Sequence, residues 1–192
     1  MCKKLILASG SPRRLEILRA AGIEPEVLVV DVLELTADMP PCDLVIANAR
    51  LKAEAAAKLK PHSLILAADT VVALGGRIFG KPKDAADAAH MLNELSGRTH
   101  SVFTGVAVYQ NGSITCGAAE TKVTFRQLDD AEITAYVTTG EPMDKAGAYA
   151  VQGGAGRFVQ QLDGDLDNVI GLPMRLVSGM ISLAEFVESK NA

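Results

Sequence analysis

The sequence predicts an α/β domain built on a mixed sheet, and three features predict it. Apolar or alternating runs suited to strands are interleaved along the chain with capped, helix-forming stretches. Asn111-Gly112, the strongest short-range hairpin signal present, joins two long strand-like runs at about Thr99 to Tyr109 and Ile114 to Arg126. That hairpin is antiparallel while the helix-strand alternation elsewhere favours parallel pairing, so the sheet is expected to be mixed. No repeat, low-complexity tract or Ser/Gly linker interrupts the 192 residues, and residues 1–192 are expected to form a single domain.

Taken in order, Lys4 to Ala8 is a short apolar strand. Ser11 and Pro12 open a helix, as N-cap and first helical residue, and Gly22 ends it. Glu26 to Val30 is a second strand. After Pro40-Pro41 an Ala-rich helix runs from about Asp43 to Lys60, where Pro61 stops it. Leu64 to Ala68 and Val71 to Leu74 read as strand, Gly75-Gly76 as a tight turn and Arg77 to Phe79 as its return. Asp84 caps a helix through Leu95 that Gly97 closes. Beyond the long hairpin, Asp129 to Thr139 is helix, Phe158 to Leu162 strand, and Met174 to Glu188 a closing amphipathic helix.

Hydrophobic residues make up 48% of the chain and charged residues 22%, which excludes disorder as the main state. A net charge of −4 offers no broad attraction for a polyphosphate backbone or an anionic membrane, so neither is expected as a partner. A small anionic ligand needs only a local knot of cations, and Arg13-Arg14 supplies one. Cys2, Cys42 and Cys116 are odd in number and lack CxxC spacing, which argues against a disulfide framework or a thiolate zinc site and for a reducing compartment. Cys42 and Cys116 read as buried small hydrophobes. The apolar runs Leu5 to Ala8 and Leu64 to Ala68 are too short for a signal peptide or a membrane span, so a cytoplasmic protein is expected.

Four segments could carry chemistry. In Leu7-Ala-Ser-Gly-Ser-Pro-Arg-Arg14 a strand runs through small residues into a helix N-terminus, which aims backbone N–H groups at one point while Arg13 and Arg14 add forked donors. That is a triphosphate cradle in outline, or else an ordinary capped helix with two solvated arginines. Asp69 interrupts an apolar run, and a buried unpaired carboxylate costs several kcal/mol, so it should meet a cation, a metal or a substrate water unless it caps a turn at a strand end. In Gly80-Lys81-Pro82, Pro82 fixes the backbone and Gly80 allows close approach, so that Lys81 is held in place unless it is simply a solvated charge. Residues 141–156 are dense in glycine, as backbone approaching a ligand or another strand would be, and the Gln152 amide can read both donors and acceptors on a base edge; the alternative is a surface loop. His62, His90 and His100 lack metal-ligand spacing and read as capping or surface groups, and Glu34 lies in an acidic stretch just past a strand.

Taken together with Ala68-Asp-Thr70, Leu95-Ser-Gly97 and His100, Thr104-Gly-Val106, Glu141-Pro-Met-Asp-Lys-Ala-Gly-Ala-Tyr149 and Val169-Ile-Gly-Leu-Pro173, these segments resemble, in order, the Maf family of nucleoside triphosphate pyrophosphatases from residue 5 to about 185. The resemblance implies an inosine-triphosphatase-like fold, with a long bent mixed sheet flanked by helices and a cleft between two lobes. It implies cleavage of a nucleoside triphosphate between its α and β phosphates with a divalent cation, Mg²⁺ or Mn²⁺. Asp69 becomes the proton acceptor, with Glu34 an accessory acid near metal or water and both carboxylates candidate metal ligands. Ser9, Arg13, Lys52 and Lys81 become phosphate ligands, with Arg14 beside them and Lys81 also serving the catalytic step. Such cations match a substrate that brings about four negative charges and a leaving pyrophosphate on which charge grows.

Arg13, Thr70 and Gln152 match the subgroup that acts on dTTP and UTP; a relative acting on 7-methyl-GTP would have Gln after the Asp and Glu in place of Gln152. The family usually carries two acids near residues 33 and 34 and Arg-Leu-Ala near 47 to 49, where this chain has Leu33-Glu34 and Ala47-Asn48-Ala49. Those departures bear on metal affinity and rate more than on reaction type. The departures suggest one competing reading, a nucleotide-binding regulator of cell division with little turnover; a 7-methyl-GTP pyrophosphatase of the same family is another, and the choice among dTTP, UTP and modified pyrimidine nucleotides stays open, as does whether the chain forms a homodimer.

Overall fold

Residues 4–36, 39–183 and 186 are described by the computed structural model. The strands are β1 (Leu5–Leu7), β2 (Glu26–Val27), β3 (Leu64–Leu74), β4 (Arg77–Phe79), β5 (Thr99–Gln110), β6 (Ser113–Phe125) and β7 (Val159–Asp163), and they form one seven-stranded mixed sheet ordered β2-β1-β3-β5-β6-β7 with β4 paired to β3. The helices are α1 (Pro12–Ala20), α2 (Pro41–Leu59), α3 (Ala85–Leu95), α4 (Asp130–Thr138), α5 (Leu166–Ile170) and α6 (Met174–Met180). Two compact units divide the chain, Met1–Asp69 with Thr104–Ala119 and Gly171–Ala192, and Thr70–Phe103 with Glu120–Ile170.

In the first unit β1 pairs in parallel with both β2 and β3, Leu5 lying opposite Leu64 and Ile6 opposite Glu26. Parallel strands covered on both faces carry continuous apolar runs, and that is what Leu5 to Ala8 and Leu64 to Ala68 are. Their alternation divides them between two cores. Leu5, Leu7, Leu64 and Leu66 pack with Leu18 of α1 and Val177 of α6, whereas Ile6, Ala8, Ile65 and Ala67 pack with Ala49, Ala53 and Ala56 of α2. The alanines let α2 lie so close that any side chain at Gly105 of β5 would overlap the Val45 backbone.

The second unit has one core, where Phe79, Leu92, Phe125, Tyr136, Tyr149 and Phe158 meet. Its aromatic rings pack edge to face, Phe125 against Tyr149 at 4.9 Å and Tyr136 against Phe158 at 5.2 Å between centroids. Asp84 accepts from the Asp87 N–H at 2.8 Å, so the expected cap forms, and Asp129, expected as the first residue of its helix, instead caps α4 by accepting from the Glu132 N–H at 2.8 Å. Gly75 and Gly76 (φ +58° and +85°) turn β3 back into β4 as a two-residue hairpin of this kind requires.

Several expectations are corrected. Leu64 to Ala68 and Val71 to Leu74 are a single strand, so Asp69 lies inside β3 rather than at a junction. Although Ser11 occupies the N-cap position of α1, its side chain makes no capping bond. β2 stops at Val27, and Val29 beyond it is largely exposed, without the cover a longer strand needs. The closing helix ends at Met180, where Ile181 turns extended after the weak helix formers Ser178 and Gly179; residues 184–185 and 187–188 of the expected span lie outside those described. Residues 141–158 form three short 3₁₀ turns, not a plain loop. His100 is buried at 2% exposure, because its strand carries it into the aromatic core, and is no surface group. Cys42 is exposed at the first turn of α2 and is no buried hydrophobe, whereas Cys116 is half-buried and packs against the core around Ala49 and Ala53, while Cys2 lies outside the described residues. No helix among the described residues is long and apolar enough to cross a membrane.

Candidate active site

Ser9 lies between β1 and α1, where the chain turns through Gly10. Its hydroxyl oxygen accepts from the Ser11 N–H at 3.2 Å and from Arg14 Nη1 at 2.8 Å. With both lone pairs occupied, the O–H is left to donate outward to an acceptor. Arg14 also donates from Nε to the Gly171 carbonyl at 2.8 Å. Burial pushes the Arg14 guanidinium down to about 10, partly offset by the Asp69 carboxylate, so it remains charged at neutral pH. Of the two arginines, Arg14 therefore orients Ser9 from inside the fold, while Arg13 is half-buried.

Asp69 is 8% exposed on β3. Its Oδ1 receives the Lys52 ammonium at 2.8 Å and its Oδ2 the Asn48 amide at 3.2 Å. Lys52 reaches Glu34 Oε1 as well, at 2.7 Å. Residues 48 and 52 are one turn apart on α2, so both project from the same face of that helix. The expected cation for Asp69 is thus Lys52, and the structure brings together Asp69, Lys52 and Glu34 on one side and Ser9 with Arg14 on the other. Leu33, where the family pattern has an acid, is 94% exposed and points to solvent.

Thr70, Lys81 and Gln152 belong to the second unit. Thr70 follows Asp69 within β3 and is partly exposed. Lys81 is exposed between Gly80, whose carbonyl accepts from the Gly147 N–H at 3.0 Å, and the buried Pro82; a side chain at Gly80 would meet open space. Gln152 is exposed on a run that Glu141 knots together. The Glu141 carboxylate accepts from Tyr136 Oη at 2.7 Å and from the Gly154 N–H at 3.1 Å, and Tyr136 Oη accepts from the Ala150 N–H at 3.1 Å. The glycines serve this packing: a side chain at Gly153 would overlap Glu141, and one at Gly147 (φ +68°) would press on Val72. Glycine density here reflects both the run closing on itself, at Gly153 against Glu141, and its approach to a strand, at Gly147 against Val72 of β3.

Among the described residues no three His, Cys, Asp or Glu side chains gather around one point. Asp69 and Glu34, two hard oxygen donors on one ammonium, still suit Mg²⁺ or Mn²⁺, because such ions take one or two carboxylates and complete their shell with phosphate oxygens and water. Asn48, which sequence reasoning passed over as a mere departure from a pattern, contacts both this pair's segment and Asp69 itself. Its spacing of four from Lys52 was the available signal.

A protein-family model described as Maf-like protein matches residues 4–184. A dTTP/UTP pyrophosphatase of Geotalea uraniireducens is 52% identical over 174 residues, covering 88% of this chain and 89% of that protein. One from Bacillus cytotoxicus is 49% identical over 177 residues, 91% of this chain and 93% of its own, and one from Anaeromyxobacter dehalogenans 47% identical over 191 residues, 97% and 96%. Among solved structures the chain is similar to the Staphylococcus aureus Ham1 protein, with a TM-score of 0.52 and 19% identity over 93% of this chain and 100% of that one, a likeness of fold alone. The expected inosine-triphosphatase-like fold is the one found.

Proposed function

This chain belongs to the Maf family, and on that premise we propose that it is a nucleoside triphosphate pyrophosphatase converting dTTP and UTP to the nucleoside monophosphate and pyrophosphate. The observation that carries the reading is Asp69, a buried carboxylate pinned at both oxygens by Lys52 and Asn48 and close enough to Arg14 for its charge to be felt there. A group so fixed can take the proton of a water attacking the α phosphate, the work of a general base.

The other roles follow from donors and charge. Ser9, with its acceptor sites filled, donates its hydroxyl proton to a phosphate oxygen. Lys52 has three N–H donors, of which two face Asp69 and Glu34, leaving one for substrate. Arg13 and Lys81 meet the charge that grows on pyrophosphate as it leaves. Thr70 and Gln152 read the base, an amide being matched to the adjacent carbonyl and N–H of uracil or thymine. A bound Mg²⁺ or Mn²⁺ would be held by Asp69 and Glu34 and would neutralise phosphate charge. In this reading residues 1–192 form one functional domain, supported by a family match over residues 4–184, and an odd number of cysteines without CxxC spacing favours a reducing compartment such as the cytoplasm.

Pyrophosphate release from dTTP, UTP and 7-methyl-GTP with Mg²⁺ tests the reading. The expected result is turnover of the two pyrimidine nucleotides ahead of the third. A melting-temperature rise with dTTP and no product would make the protein a binding module instead.

A further inference from the structure

The chemistry just described uses Asp69, Lys52 and Glu34 and leaves unexplained the buried amide beside them. Asn48 is 3% exposed on a helix whose other buried residues are Leu44, Val45, Ala49, Ala53 and Ala56, so it sits where an apolar side chain would otherwise stand. An amide there is costly unless every polar atom is matched, and it is matched. Oδ1 accepts from the Leu35 N–H at 2.8 Å, while Nδ2 donates to the Leu35 carbonyl at 3.2 Å and to Asp69 Oδ2 at 3.2 Å. A flipped amide would set Oδ1 against two oxygens and Nδ2 against an N–H, so only one orientation satisfies the set.

One side chain thus pairs both backbone groups of the residue next to Glu34 and one oxygen of Asp69, while Lys52, one turn along, takes the other oxygen and Glu34 itself. We propose that Asn48 is a positioning residue of the hydrolysis: it fixes the rotation of the Asp69 carboxylate and clamps the Glu34 segment against Lys52, so that both acids present a constant geometry to the attacking water and the phosphates. The proposal rests on the pyrophosphatase reading.

The test measures steady-state dTTP hydrolysis, dTTP-analogue binding and melting temperature for wild type, Asn48→Leu and Asn48→Asp, each also in an Asp69→Asn background. Leu matches the volume and removes all three bonds. Asp is isosteric, keeps the acceptor for the Leu35 N–H, and sets a second carboxylate against Asp69; it serves if the Leu variant fails to fold. The expected result for each folded variant is a kcat lower by about 10–100-fold, the usual effect of losing an outer-shell partner, with KM and analogue affinity nearly unchanged. In the Asp69→Asn background each change should lower the residual rate by clearly less than it does in wild type, because the part of its effect that passes through Asp69 is already gone. Wild-type kcat in a folded variant, or losses that multiply in full on Asp69→Asn, would overturn the proposal while leaving the pyrophosphatase reading intact. A wild type that releases no pyrophosphate would overturn both.

Discussion

Replacing Lys52 by Met removes the ammonium that joins Asp69 to Glu34 but keeps the aliphatic stem packed on α2. The two contacts differ in value. Glu34 is about half-exposed, with a side chain 52% accessible, so its pair is worth about 0.2–1 kcal/mol. Asp69 has a side chain only 11% accessible, and without Lys52 its charge is left with the longer 3.2 Å bond from Asn48 and the more distant Arg14 guanidinium. Removing one partner of a buried charge pair costs about 3–5 kcal/mol, and the Arg14 charge and some solvent access at Asp69 argue for the lower end. At about 3 kcal/mol and roughly 2–4 °C per kcal/mol for a chain of this size, melting should fall by about 6–12 °C. Differential scanning calorimetry on wild type, Lys52→Met, Asp69→Asn and the double variant measures this, and the pair term is their non-additivity. Once Asp69 is neutral, Lys52→Met should cost no more than about 1 kcal/mol, the Glu34 pair alone. Equal losses in both backgrounds would refute the claim that Lys52 stabilises the fold through the Asp69 carboxylate.

Two more perturbations read other parts of the molecule. His100 is held in the aromatic core with Nε2 on Tyr149 Oη at 2.9 Å, and burial pushes it down from 6.5 to about 4, so the unfolded chain binds the extra proton between those values. Stability should therefore be full above pH 6.5 and decline towards pH 4, by up to about 3 kcal/mol, and His100→Gln should flatten that decline in urea melts; an unchanged pH profile would contradict it. The double change Thr70→Gln with Gln152→Glu should lower kcat/KM for dTTP and UTP and raise relative use of 7-methyl-GTP, because a carboxylate favours the N–H edge of guanine; unchanged ratios would place base selection elsewhere.

Much of the fold was legible because the signals were local. The turns at Gly75-Gly76 and Asn111-Gly112 and the cap at Asp84 depend on residues within a few positions of one another, and all formed where the sequence put them. α5 was missed because five residues are too few to show a helical period. Asp69 stood out as a break in polarity, whereas Lys52, one lysine among several on an Ala-rich helix, was identified only by resemblance. Asn48 and Glu141 escaped because they have partners that are distant in sequence or are backbone groups, Leu35 and Asp69 for the one and the Gly154 N–H for the other. Burial decided the histidines: His100 resembles His62 and His90 in sequence, yet its strand carries it inside.

In the proposed mechanism Asp69 is the base of a pyrophosphate-releasing hydrolysis. The most direct measurement is the rate of pyrophosphate and monophosphate formation from dTTP and UTP by wild type and Asp69→Asn, with binding of a non-hydrolysable dTTP analogue measured in parallel. Wild type should give equimolar pyrophosphate and monophosphate, and the variant a rate about 10²–10⁴ lower with analogue affinity largely retained. Near-wild-type turnover by Asp69→Asn, or orthophosphate as the product of wild type, would contradict it.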